Sequence, residues 1–241
     1  MDIVDARCQR LRIETCKCQA QQAVDPDLQW CEIMAQGVQA GGEAEPSPAT
    51  RGLEGLTEAA RAAGGETRRL PPVHLWNPPF CGDLDMRIAR DGTWFYNGTP
   101  IGRPALVRLF STILRKDEDR YVLVTPVEKV GIRVEDAPFL AVELAQEARD
   151  NGRTLKFRTN VDDWVEVGPD HPLRFEAGEA EGLKPYVHVR ADLWALVKRA
   201  LFYDLVDLGE KRSIAGEEMF GVASNGAFFP MMRADQLEAL S

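Results

Sequence analysis

Glu128 is the residue whose position and chemistry conflict most sharply in this chain. If a strand runs unbroken from Val127 to Val134, Glu128 shares a face with Val130, Ile132 and Val134, because alternate side chains of a strand point the same way. A carboxylate there is buried, and a buried charge needs a partner or a raised pKa. Arg103, just ahead of a predicted helix, is the first partner expected. Lys129 is a poorer one, since neighbours along a strand point to opposite faces. The competing reading lets Pro126 open a bulge that turns Glu128 to solvent. Asp83 and Asp85, in Gly82-Asp83-Leu84-Asp85-Met86, would share one strand face. They could hold a hard divalent cation, act as paired carboxylates, or simply solvate a face opposite Leu84 and Met86. His74 lies in the proline-rich run from Val73 to Pro79, where it is either a proton shuttle at an entrance or a structural histidine. Glu128, Arg103, His74, Lys129, Asp83 and Asp85 are therefore the candidate ligand-binding residues.

Familiar catalytic patterns are missing. The sequence has no Gly-rich phosphate loop, nucleophile elbow, HExxH or EF-hand spacing, so none of the chemistries those patterns support is indicated. Ser111, Ser213 and Ser224 have no neighbouring histidine, and His171 and His188 read as structural. Trp94, Trp164 and Trp194 read as core rather than as a stacking platform. Cys8, Cys16, Cys18 and Cys31 do not have the spacing of a known zinc ribbon, so no metal and no cofactor is expected.

The elements that must position these residues read as one pattern written twice. Met86 to Arg90, the Asp91-Gly92 turn, Thr93 to Tyr96, the Asn97-Gly98 turn and Thr99 to Gly102 form a predicted meander. A helix follows from Pro104, a residue suited to the first helical position, through Leu114. Leu155 to Thr159, Trp164 to Val167 and Leu173 to Phe175 repeat the meander, with a second helix over Ala191 to Leu208. This alignment makes Trp94 equivalent to Trp164, and Arg103 equivalent to Arg190 as the residue before each helix. Between the copies, Tyr121 to Val124, Val130 to Val134 and Phe139 to Ala148 are predicted strands, the last joined to Thr154 to Thr159 as a hairpin. Met219 to Met232 closes as a hairpin at Asn225-Gly226. The sum is an α+β fold of mostly antiparallel strands in two similar halves, each with a helix.

Composition shifts along the chain. Of the nineteen aromatic residues only Trp30 precedes Leu75, and a segment so poor in large side chains cannot bury enough apolar surface to fold alone. Residues 1–69 are accordingly expected to be a disordered extension and linker, 70–150 the first half of the core and 151–241 the second. An odd cysteine count without a secretory leader points to a reducing cytoplasm. No apolar run is long enough to span a membrane. The net charge of −9 argues against nucleic acid and anionic membranes as partners.

Four separated blocks carry a resemblance: Pro71-Pro72-Val73-His74-Leu75-Trp76-Asn77-Pro78-Pro79, Gly92-Thr93-Trp94-Phe95-Tyr96-Asn97-Gly98-Thr99-Pro100-Ile101, Leu123-Val124-Thr125-Pro126-Val127-Glu128-Lys129, and Arg199-Ala200-Leu201-Phe202-Tyr203-Asp204-Leu205-Val206. Over residues 70–241 the chain resembles a bacterial domain-of-unknown-function family. The resemblance implies a duplicated core, a C-terminal half similar to a pleckstrin-homology-like fold, a ligand site between the halves and a role in signalling. It supplies no catalytic residues. The leading functional expectation is thus a cytoplasmic binding or signalling module that takes a small polar molecule or a peptide between its halves. The alternatives are a hydrolase using Glu128 with an Asp or His as general base, and a structural partner protein that reads another chain through a strand edge.

Overall fold

The computed structural model describes residues 48–64, 70–149, 152–178 and 182–239. Six strands build the first half: β1 (Phe80–Ile88), β2 (Trp94–Tyr96), β3 (Thr99–Pro100), β4 (Leu114–Asp117), β5 (Arg120–Val124) and β6 (Lys129–Val134). The β2–β3 turn works because Asn97 and Gly98 both take positive φ, 47° and 73°, the conformation that a two-residue hairpin loop demands. Helix α2 (Pro104–Thr112) connects β3 to β4. Six strands build the second half: β7 (Phe139–Arg149), β8 (Gly152–Thr159), β9 (Trp164–Glu166), β10 (Leu173–Ala177), β11 (Leu183–Arg190) and β12 (Leu193–Val197).

The strand orders are β3-β2-β1-β6-β5-β4 and β10-β11-β12-β7-β8-β9. Read from the opposite edge, the second becomes β9-β8-β7-β12-β11-β10, the order of the first. In each half two antiparallel meanders are joined by a parallel pair, β1 with β6 and β7 with β12. The fold is therefore α+β in two similar halves, as expected, but the repeat is offset by one strand from the sequence alignment. The counterpart of β1 is β7, not Leu155 to Thr159. Trp94, on β2 and 1% exposed, has no equivalent in Trp164, which opens β9 and is 51% exposed. The same topology divides the halves within residues 135–138 rather than after residue 150, since β7 pairs with both β8 and β12.

The second predicted helix is half strand. Leu193, Ala195 and Val197 are buried and alternate with the more open Trp194 and Leu196, a period of two fixed by pairing with β7 and β11. Helix α3 begins only at Arg199 and ends at Asp207. Arg190 consequently precedes no helix. It ends β11, where it binds the Asp163 carboxylate, donates to the Ser111 carbonyl at 2.7 Å and lies over the Phe139 ring. The first helix likewise stops at Thr112, and Leu114 starts β4.

A three-stranded antiparallel sheet follows, β13 (Glu210–Ile214), β14 (Glu217–Ser224) and β15 (Ala227–Arg233), and then helix α4 (Ala234–Ala239). Its inner residues Phe220, Val222, Phe229 and Met231 join the main core. Buried Ser224 ties it to β8: its hydroxyl accepts the Leu155 N–H at 2.9 Å and donates to the Val167 carbonyl at 2.8 Å.

The linker expectation needs correction over Pro48–Gly64, which forms helix α1. Leu56 (2% exposed) and Ala60 (0%) lie one turn apart and are buried in the core shared with α2. A stripe of Leu and Ala at helical spacing needs no core of its own when a neighbouring domain offers one. Residues 1–47 and 65–69, with Cys8, Cys16, Cys18 and Cys31, lie outside the described residues. No helix among the described residues is long and apolar enough to cross a membrane.

Candidate functional site

The seam between the halves is where charge and aromatic surface concentrate. Asp136, in the link from β6 to β7, has only 9% of its side chain exposed. One carboxylate oxygen accepts from Lys184 Nζ at 2.8 Å and the other from the Tyr186 hydroxyl at 2.7 Å. Burial pushes the Asp136 carboxyl up, but the bonds from Lys184 and Tyr186 outweigh it and hold the pKa below the usual value. Burial, then the bond to Asp136, pushes the Tyr186 phenol well above its ordinary range. Alternation along β11 places Lys184, Tyr186 and His188 on one face, and β10 and β12 add Arg174 and Trp194. The Arg174 guanidinium lies 4.2 Å from the Trp194 ring and 5.0 Å from that of Tyr186, and the His188 ring meets Trp194 at 5.1 Å. From the first half Tyr121 faces this group: burial raises its phenol pKa, Arg174 opposes and Asp136 adds to the rise.

Beside this cluster opens a cleft of about 370 Å3, lined by Arg90 and Asp136 from the first half and by Lys184, Arg199, Phe202 and Tyr203 from the second. Arg199 Nε donates to the Tyr203 hydroxyl at 3.1 Å, an i, i+4 contact on α3. Tyr203 is 54% exposed, and its ring sits 6.3 Å from that of Phe202. The cleft can hydrogen-bond and stack. Among the described residues no three His, Cys, Asp or Glu side chains are grouped to hold a metal ion.

The residues singled out in the sequence lie elsewhere. Glu128 closes a turn in which Thr125 N–H bonds its carbonyl at 2.9 Å, so β6 starts one residue later, at Lys129. The side chain is half-buried, burial raises its pKa, and neither Arg103 nor any other described residue forms an ion pair or hydrogen bond with its carboxylate. Lys129 instead binds Asp117 at 3.0 Å. Asp83 pairs with Arg120 at 3.2 Å, and Asp85 is exposed on the same strand. Register brings Asp83 beside Gly131 and Phe80 beside Lys129, so Asp83 and Lys129 share one end of the first sheet, away from the seam. Arg103 lines a separate groove of about 890 Å3 between α1 and the β3–α2 region. His74 is exposed in a 3-10 turn, Val73–Leu75. The seam residues belong to no motif in the sequence, because they come together only through the pairing of β11 with its neighbours and the packing of α3. Lys184-x-Tyr186 on a strand and Arg199 with Tyr203 on a helix were the available signals.

Asp117 gives a pH expectation. Arg115 donates to both its oxygens, at 2.6 and 2.9 Å, while also bonding the Val73 and Trp76 carbonyls. Chiefly the Arg115 bonds, against burial and with help from Lys129, lower its pKa to about 2. A carboxyl depressed on folding contributes stability above its unfolded pKa, near 4, and loses it as pH falls towards 2. With 29% of the side chain exposed, solvent screening trims the contribution to about 1–2 kcal/mol. Asp117→Asn should therefore lower urea-unfolding stability by about that amount at pH 7 and by far less at pH 2.5.

Comparison with known proteins places this architecture in a family. Residues 71–137 match the N-terminal domain, and residues 138–231 the C-terminal domain, of a family described as domain of unknown function DUF1285. The chain belongs to the DUF1285 family. The boundary between the two matches falls in the β6–β7 link, where the sheets divide. A DUF1285 family protein from Silicibacter pomeroyi DSS-3 is 54% identical, with a TM-score of 0.68, over 76% of this chain and 97% of its own. A second, from Shewanella baltica OS155, is 29% identical with a TM-score of 0.42, covering 52% of this chain and 91% of its own. Among curated proteins there is no significant match.

Proposed function

We propose that the protein is a cytoplasmic binding module, with a signalling role, whose small polar ligand docks in the seam cleft. The observation carrying this reading is the cleft itself, in which Arg90 and Asp136 of one half meet Lys184, Arg199 and Tyr203 of the other. A concave site with apolar walls and a few convergent polar groups is the ordinary form of a ligand pocket. Contacts from both halves also let occupancy bias how the halves sit together, which is what a signalling module requires. A hydrolase has less support. Glu128 is half-buried with a raised pKa, as a general base can be, but no candidate Asp or His forms a hydrogen bond with it. Native mass spectrometry of the full chain purified from bacterial cells tests the proposal. A small-molecule adduct should be present in the parent protein and absent from Tyr203→Ala. An adduct retained by Tyr203→Ala, or no adduct in either, would overturn it.

A further inference from the structure

The geometry points to a protein-docking surface at one end of the first sheet, where a partner segment presenting a lysine or arginine among apolar side chains meets Leu75, Phe80, Val127 and Glu128. This surface is separate from the seam cleft and does not depend on its reading. Two turns build it. In one, the hydroxyl of buried Thr125 accepts the N–H groups of Val127 and Glu128 at 3.4 and 3.2 Å, and the Thr125 N–H bonds the Glu128 carbonyl at 2.9 Å. In the other, Arg115 on β4 donates to the Val73 and Trp76 carbonyls at 2.6 and 2.7 Å. Backbone bonds from the Lys129 N–H to the Pro79 carbonyl and from the Val124 N–H to the Ile113 carbonyl bring both turns to the same end of the sheet. These fixed turns hold apolar side chains in water: Leu75 is 71% exposed, Val127 57% and Phe80, which opens β1, 45%. The exposed large apolar side chains of the second half and beyond, Trp164, Tyr203 and Ile214, lie apart on β9, α3 and β13. Neighbouring apolar side chains left open mark a contact surface, and turns already held rigid remove much of the ordering cost of binding.

Glu128 sets the charge of the partner. It follows Val127 in the turn and is half-buried, and no described residue bonds or pairs with its carboxylate. Lys129, the next residue, and Arg115 both bind Asp117, at 3.0 and 2.6 Å, so neither turns to Glu128. Burial raises the Glu128 pKa with nothing opposing the rise: folding partly desolvates this carboxylate and returns no compensating charge or hydrogen bond. A lysine or arginine brought by a partner supplies both, and apolar side chains that exclude water around the pair strengthen it. A purely apolar or acidic partner desolvates the carboxylate further without compensation and is disfavoured.

Selection of phage-displayed random peptides on the full chain, followed by fluorescence-polarisation titration of the enriched peptides, tests the proposal. The enriched peptides should share a lysine or arginine flanked by apolar residues. Replacing that cation by glutamine, or Glu128→Gln in the protein, should weaken binding about tenfold or more. Leu75→Ser and Val127→Ser should each weaken it about threefold or more. Trp164→Ser, which removes a comparably open side chain from β9, should leave it unchanged. Glu128→Gln has a second readout in the free protein. A carboxyl whose pKa is raised on folding opposes folding when ionised, so the melting temperature of this variant at pH 7 should equal or exceed the parent's. A lower one would reveal a partner within the chain and overturn the proposal. Peptides without a shared cation, cationic peptides indifferent to Glu128→Gln, an equal loss in Trp164→Ser, or no enrichment would each overturn it as well. So would light scattering that finds the parent self-associated and Val127→Ser monomeric, because the occupant would then be a second copy of this chain.

Discussion

Asp136→Ala is expected to lower the unfolding free energy by about 2–4 kcal/mol. The substitution leaves the Tyr186 hydroxyl without its 2.7 Å acceptor and Lys184 without its 2.8 Å partner. Tyr186 is 4% exposed, so its hydroxyl recovers little from water and bears most of the penalty. Lys184 has 34% of its side chain exposed and relaxes outward, which is why the loss stays below that of a fully enclosed pair. Adding Tyr186→Phe to Asp136→Ala should restore part of the stability, because the orphaned hydroxyl is removed with its acceptor. The pH dependence has a definite sign. The folded pKa of Asp136 is depressed, so its contribution is present above the unfolded value, near 4, and disappears as pH falls below it. The gap between parent and variant in urea unfolding should therefore shrink in strong acid. A loss under about 0.5 kcal/mol at pH 7 would show that the seam does not depend on this carboxylate.

Gly221→Ala should be nearly as damaging, for a steric reason. A Cβ at Gly221 would sit 2.3 Å from the Phe229 carbonyl oxygen and 2.8 Å from Pro230 Cα, both backbone atoms of the paired strand. No side-chain rotation relieves such a contact, so β14 and β15 must part at the register shift between Phe220 and Gly221. That shift places Pro230, which has no N–H to donate, opposite Gly221. The displaced sheet carries Phe220, Val222, Phe229 and Met231 into the core. The expected loss is about 2–4 kcal/mol, at or above the usual range for overpacking because the backbone itself must move. Gly102→Ala is the control: nothing lies within 4 Å of its Cβ position, and it should change the melting temperature little. Equal melting temperatures for the two variants would contradict the close approach of β14 and β15.

The sequence by itself determined the features that depend on near neighbours. The Asn97-Gly98 and Asn225-Gly226 turns adopt the positive φ angles their residues favour, and the hairpins around them form where alternation placed them. Pro104 begins α2, and Phe139–Arg149 is a strand, because chemistry within a few residues decides each. The family resemblance was also legible, because it rests on short linear blocks. What only the tertiary structure decided depends on distant partners. Ala191 to Leu208 is apolar at both strand and helix spacing, and pairing with β7, some fifty residues earlier in the chain, turns Leu193–Val197 into a strand. The offset of the repeat by one strand follows from that same parallel pair. Leu56 and Ala60 of α1 fold against α2, a surface no local pattern announces. Glu128 lost its expected cation because Thr125 closed the turn, while Lys129 found Asp117 across the sheet. The seam cleft unites residues as far apart as Arg90 and Tyr203. Its chemistry arises from which groups spend their hydrogen bonds on each other, and that is fixed only when the chain is folded.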